Sequence, residues 1–151
     1  MAQPNNPKWR VLFDLNVVLD VLTGRAPHFQ DSARLWALAE ASQIDGYVAA
    51  HSFTTLFYLY RRQADSQVAY QAIRNMLRVF DVAGVDRASI QKACDLAWHD
   101  FEDAVQCCAA SAFSCDYLVT RDPQGYQGQA IAVLQPAEFL AVWAASQSAK
   151  E

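Results

Sequence analysis

Asp14, Asp100, Asp103 and Asp122 are the residues whose type and placing point to chemistry. Asp14 closes the apolar run Val11-Leu12-Phe13, Asp100 and Asp103 open the largely apolar stretch Phe101 to Ala112, and Asp122 follows Tyr117-Leu118-Val119-Thr120. Carboxylates that converge repel: two unit charges about 4 Å apart interact by roughly 4 kcal/mol at an effective dielectric near 20. A bound Mg²⁺ or Mn²⁺ removes that cost, because hard oxygen ligands and retained waters suit both ions. A cation held in this way activates water against a phosphodiester and steadies the leaving oxygen. The four aspartates therefore predict a metal-dependent nuclease.

Each has a plainer explanation that the sequence leaves open. Asp14 is placed to cap a helix beginning near Leu15, a common role for Asp that contributes about 1 kcal/mol. Asn16 could cap the same helix or hold Asp14 by a hydrogen bond. Asp100 and Asp103 are one turn apart, and negative charge in a first turn is favoured by the helix dipole. Asp103 is the more telling of the two, because from Ala104 to Phe113 only Gln106 and Ser111 are polar. That pattern implies a helix buried on most sides, where an unpaired carboxylate is costly. Asp122 precedes Pro123-Gln124-Gly125, and an Asx-type turn would account for it. His51 and His99 lack metal-ligand spacing and read as structural.

The elements that must position these groups alternate. Arg10 to Phe13 reads as a buried strand, and Asn16 to Leu22 as a helix ended by Gly24. Helical spacing runs from Phe29 to Ser42, then Gly46 to Ala49 gives a second strand, followed by helices over Ser52 to Arg62 and Ser66 to Val79. A third strand is expected at Phe80 to Val82, helices from Asp86 towards Trp98 and from Asp100 to Phe113, and a fourth strand at Tyr117 to Thr120. Asp122 to Gly125 has turn chemistry, Ile131 to Leu134 makes a fifth strand, and Pro136 opens the last helix. Parallel crossovers usually need a helix, so this alternation predicts an α/β protein, a three-layer α/β/α sandwich with a mostly parallel central sheet. Ligand sites in such sheets favour the carboxyl ends of strands, which makes Asp14 and Asp122 expected neighbours.

Length and composition set further bounds. With 151 residues and 53% hydrophobic composition, one domain over residues 9–145 is expected, flanked by a disordered segment 1–8 and a tail 146–151. No apolar run reaches the roughly 18 to 20 residues needed to cross a bilayer, and the start lacks signal-peptide character, so no membrane association and a cytoplasmic location are expected. Cys94, Cys107, Cys108 and Cys115 follow no disulfide or zinc-finger spacing and read as buried, reduced thiols. A net charge of −4 argues against broad duplex DNA binding. Arg25, Arg61, Arg62 or Arg121 could instead form a local rim for a short single strand, or simply be scattered surface charges. The run Leu56-Phe57-Tyr58-Leu59-Tyr60 reads as core, with a homodimer or partner-protein surface as its alternative.

Taken in order, Val11-Leu-Phe-Asp14-Leu-Asn16-Val-Val-Leu-Asp-Val-Leu22, then Asp100-Phe-Glu-Asp103-Ala, then Tyr117-Leu-Val-Thr120-Arg121-Asp122 resemble the PIN domain family over roughly residues 10 to 141. Gly46-Tyr-Val-Ala49 and Pro136-Ala-Glu-Phe139-Leu add to the match. The resemblance implies cleavage of single-stranded RNA with Mg²⁺ or Mn²⁺, often by the toxin half of a toxin and antitoxin protein pair. It gives Asp14, Asp103 and Asp122 metal-binding roles, makes Asp100 a further catalytic carboxylate, and casts Thr120 and Asn16 as supports. The chain departs from the family pattern at Thr55 and Gly125, where acidic residues are usual. Either Asp100 completes the set, or the domain binds one ion weakly and has lost some or all cleavage, leaving a module that binds RNA or a protein partner.

Overall fold

A computed structural model describes residues 7–126 and 128–150. The expected disordered segment falls outside the described residues for positions 1–6, and Pro7 and Lys8 are exposed without regular structure. The chain runs β1 (Arg10–Phe13), α1 (Leu15–Thr23), α2 (Phe29–Glu40), β2 (Asp45–Ala49), α3 (Ala50–Arg61), α4 (Ser66–Val79), β3 (Asp81–Ala83), α5 (Arg87–Leu96), α6 (Phe101–Ala112), β4 (Tyr117–Val119), a 3₁₀ turn (Pro123–Tyr126), β5 (Ala132–Leu134) and α7 (Pro136–Ser148).

The strands form one five-stranded sheet in the order β3-β2-β1-β4-β5, and every pairing is parallel. The chain builds outward from β1 to β3, then returns to the other side of β1 with β4. This reversal opens a crevice beyond the carboxyl ends of β1 and β4, where α/β sheets bind ligands. Alternation along β1 decides what lies on each face. Val11 and Phe13 join a core with Val17, Leu35, Leu56, Met76 and Phe139, covered by α1 to α4 and α7. Leu12 faces the opposite way, with Leu118, Cys107 and Ala110 under α6 and α5. The result is the expected three-layer α/β/α sandwich.

Two glycines have specific physical roles. Gly24 adopts φ 62° and ends α1 in the left-handed conformation that costs glycine least. At Gly46 in β2, an added Cβ would lie 2.8 Å from Phe80 and 3.0 Å from Ala39, so this strand and α2 approach as closely as they do only because no side chain intervenes.

Most departures from expectation are short shifts at element ends. α2 stops at Glu40 and Ser42 takes φ 57°; α5 stops at Leu96 because Ala97 turns left-handed at φ 53°. β3 begins one residue late, since Phe80 closes α4 and buries its ring among Phe13 and Trp36. The expected turn at 122–125 tightens into the 3₁₀ segment, and α7 continues past 145 to Ser148. The run at Leu56 divides between roles: Leu56 is core, Phe57 packs on Tyr70, and Tyr58 is 64% exposed. Among the described residues, no helix is long and apolar enough to cross a membrane.

Candidate active site

Pairing of Phe13 with Val119 brings the next residues on each strand, Asp14 and Thr120, side by side. The Asp14 N–H donates to the Val119 carbonyl at 2.9 Å, so the β1–β4 ladder runs right up to the aspartate. Asp14 occupies the residue before α1, and its carbonyl accepts from Val17 and Val18 N–H. Its side chain, however, makes no capping hydrogen bond. The carboxylate turns inward instead and is 5% exposed, with Oδ2 accepting from the Thr120 hydroxyl at 2.6 Å and Oδ1 from the Gln106 amide at 3.2 Å. Capping therefore does not explain Asp14. Asn16, expected to cap α1 or brace Asp14, is exposed on the pocket wall, and Thr120 and Gln106 do the bracing.

On α6 the two aspartates have separate roles. Asp100 is the helix cap: its Oδ1 accepts the Asp103 N–H at 3.0 Å, and its side chain is exposed at the pocket rim. Asp103, one turn on, is half-buried against the layer below. Burial first, then the charges of Asp14 and Asp100, push its carboxyl pKa up from the usual 3.8 to about 6. The Tyr126 hydroxyl donates to Asp103 Oδ1 at 3.0 Å and works against that rise. Burial first, then the Asp14 and Asp103 carboxylates, raise the Tyr126 pKa above its ordinary range, so its hydroxyl keeps its proton and remains a donor.

Asp14, Asp100, Glu102 and Asp103 line one cavity of about 240 Å³, together with Asn16, Thr55 and Gln106. Asp122 does not line it. Its side chain is exposed, and its backbone N–H donates to the Thr120 Oγ1 at 3.2 Å, so it supports the residue that holds Asp14. Among the described residues, no three His, Cys, Asp or Glu side chains are arranged to hold a metal ion. A slightly larger hollow of about 290 Å³ beside Arg121 and Pro136 gathers no carboxylate cluster.

Oxygen donors, like-charge repulsion at Asp103 and a cavity with room for several waters suit a hard cation, since Mg²⁺ is commonly held by one or two carboxylates with waters and substrate phosphate completing its shell. Asp14 and Asp103 fit that role. Thr55 on the pocket wall is uncharged and Gly125 offers no side chain where a Cβ would stand 3.6 Å from Asp103 Oδ2, so the further carboxylates at the pocket are those of Asp100 and Glu102.

A PIN domain family model matches residues 10–124. The chain belongs to the PIN domain family. Solved structures share this PIN fold at low identity. The VapC20 toxin of Mycobacterium tuberculosis, described as cleaving the sarcin-ricin loop, superposes with a TM-score of 0.63 at 18% identity, over 77% of this chain and 92% of its own. A toxin-antitoxin complex from Klebsiella pneumoniae gives 0.64 at 19%, over 83% and 97%. VapBC2 from Rickettsia felis, bound to promoter DNA, gives 0.63 at 11%, over 83% and 97%. No curated protein sequence matches the chain.

Sequence reasoning gave this PIN domain's aspartates but not Gln106 and Tyr126 as site residues. The available signal was Gln106 itself, a long polar side chain inside an otherwise apolar helix. Two of the arginines expected at a phosphate rim are also held elsewhere. Arg121 Nε lies 3.2 Å and Arg25 Nε 3.8 Å from the fully buried Asp20, in ionic contact without hydrogen-bond alignment at Arg121. Asp20, within Val17-Val-Leu-Asp-Val-Leu22, received no role from the sequence. Arg61 and Arg62 stay exposed at the end of α3.

Proposed function

We propose that this PIN domain is an endoribonuclease that cleaves single-stranded RNA with Mg²⁺ or Mn²⁺ and acts as the toxin of a toxin-antitoxin pair. The observation that carries this reading is the convergence of Asp14 and Asp103, distant in sequence, in one half-closed pocket where burial first, and then the charge of Asp14, push the Asp103 carboxyl pKa up to about 6. A divalent cation bound there supplies positive charge that offsets the phosphate and makes water more acidic. Asp14 and Asp103 would hold it as fixed anions, not as covalent nucleophiles. Thr120 and Gln106 fix the orientation of Asp14, while Asp122 steadies Thr120 through its backbone. Asp100 and Glu102 extend the negative rim, and exposed Arg61 and Arg62 lie one turn beyond pocket-lining Leu59 on α3, placed to contact phosphates of a passing strand. Relatives solved as toxin-antitoxin assemblies support an antitoxin protein as partner. A homodimer is the other candidate assembly, and the mass on size exclusion at low concentration decides it.

The direct test incubates the purified protein with single-stranded RNA and Mn²⁺ or Mg²⁺. Chelator-sensitive cleavage that Asp14→Asn and Asp103→Asn reduce by orders of magnitude is expected; equal cleavage by all preparations would refute the assignment. A second reading, a non-catalytic module binding RNA or a protein partner, draws on Thr55 and Gly125 and on the lack of a third converging ligand among the described residues. Absence of thermal stabilisation by millimolar Mn²⁺, with RNA still retained on pull-down, would favour it.

A further inference from the structure

We infer that Gln106 and Tyr126 are positioning residues, an uncharged clamp that locks Asp14 and Asp103 together as a seat for one divalent cation per chain. The inference rests on the metal-dependent reading above. Both side chains are nearly inaccessible, Gln106 at 2% and Tyr126 at 4% exposure, so the Gln106 amide N–H groups and the Tyr126 hydroxyl need partners inside the protein. They find each other and the two aspartates. Gln106 Nε2 donates to Asp14 Oδ1 at 3.2 Å and to the Tyr126 hydroxyl oxygen at 2.6 Å, and that hydroxyl donates to Asp103 Oδ1 at 3.0 Å.

The direction of the chain is fixed by chemistry. Ionised carboxylates only accept, and tyrosine has one hydrogen, committed here to Asp103. Gln106 must therefore present its NH₂ group, whose two hydrogens match its two contacts. The Thr120 hydroxyl serves Asp14 Oδ2. Among the described residues, Asp103 Oδ2 alone of these four oxygens accepts no protein hydrogen bond, and it faces Gly125, where a Cβ would sit at an unstrained 3.6 Å. The clamp thus leaves one carboxylate oxygen open, beside a position where a further acidic side chain could enter the cluster. Nothing acidic occupies that position. With both Asp14 oxygens and Asp103 Oδ1 already engaged by neutral donors, the pair is oriented for a single ion.

A clamp that merely satisfied buried polar groups would affect folding and leave metal binding untouched, so both are measured on the full chain. Mn²⁺ binding is followed by the electron paramagnetic resonance of free Mn²⁺ and by calorimetry, and melting is measured without metal. The wild-type chain should bind one Mn²⁺. Tyr126→Phe should weaken that binding about tenfold or more, the usual consequence of removing a hydrogen bond to a metal-holding side chain, while metal-free melting moves by only a few degrees. Gly125→Asp, at an exposed position, should bind a second ion. Two ions or none on the wild-type chain, unchanged Mn²⁺ affinity in Tyr126→Phe, or a single ion in Gly125→Asp would each overturn the clamp. One bound ion without chelator-sensitive RNA cleavage would support the clamp and sink the ribonuclease reading.

Discussion

At Asp103, burial together with the charges of Asp14 and Asp100 makes the folded protein hold a proton until about pH 6, whereas the unfolded chain releases it near the usual 3.8. Between those values the unfolded state binds fewer protons, so stability falls as pH rises from about 4 to 6 and stays lower above. Asp103→Asn keeps an Oδ1 to accept from Tyr126 and removes the charge. In metal-free buffer the variant should therefore melt a few degrees higher than wild type at pH 7 to 8, with the gain vanishing near pH 4. A lower melting temperature at pH 7 would mean that the carboxylate is stabilised by a partner its surroundings do not reveal. Thiol chemistry gives a second check on burial. The pKa values of Cys107 and Cys115 are pushed up to about 11, mainly by burial, and Cys108 is raised for the same reason, while Cys94 is exposed. Since the thiolate is the reactive form, maleimide at pH 7.5 should label one site quickly in the native protein and the others after denaturation. Peptide mass mapping would identify the site.

Three helices, α1, α3 and α6, line the pocket, and their ends are separable from its chemistry. Asp100 accepts the Asp103 N–H, a cap that asparagine also makes and alanine cannot. Asp100→Ala should therefore lose about 1 kcal/mol in urea denaturation and Asp100→Asn only a fraction of that. Equal losses would show that the charge of Asp100, not its hydrogen bond, holds α6. Element order, type and most boundaries were legible because periodicity changes sharply between buried strands and amphipathic helices. The positions of Asp14 and Asp103 followed from the same pattern, since a carboxylate at a strand end and another in a buried helix have few structural uses. Gln106 and Tyr126 were not legible as a clamp, because which side of α6 meets the 3₁₀ turn depends on tertiary approach and not on local spacing. Asp122 is a related case: it stands at the strand end as expected, but the tightening of Pro123–Tyr126 leaves its side chain exposed and only its N–H in the network.

Across the molecule, the pocket is braced by a tie between α1 and the end of β4. Asp20 is fully buried on α1, and Arg121 follows Thr120 at the end of β4, so their 3.2 Å contact fastens the strand end that braces Asp14. Arg25 adds a weaker contact at 3.8 Å from a half-exposed side chain. A buried charge stripped of its partner costs several kcal/mol, less where water reaches the pair, and the Arg121 side chain is 26% exposed. Arg121→Ala should accordingly destabilise the fold by about 1 to 3 kcal/mol. Asp20→Asn in that background should restore part of the loss, because the amide buries no charge. Denaturation midpoints of both single variants and the double variant complete a thermodynamic cycle. Strictly additive losses would mean that Asp20 does not sense Arg121. A non-additive cycle, by contrast, would mark Arg121 as an anchor for Thr120 rather than a free phosphate contact, leaving Arg61 and Arg62 as the candidates for the proposed phosphate contacts.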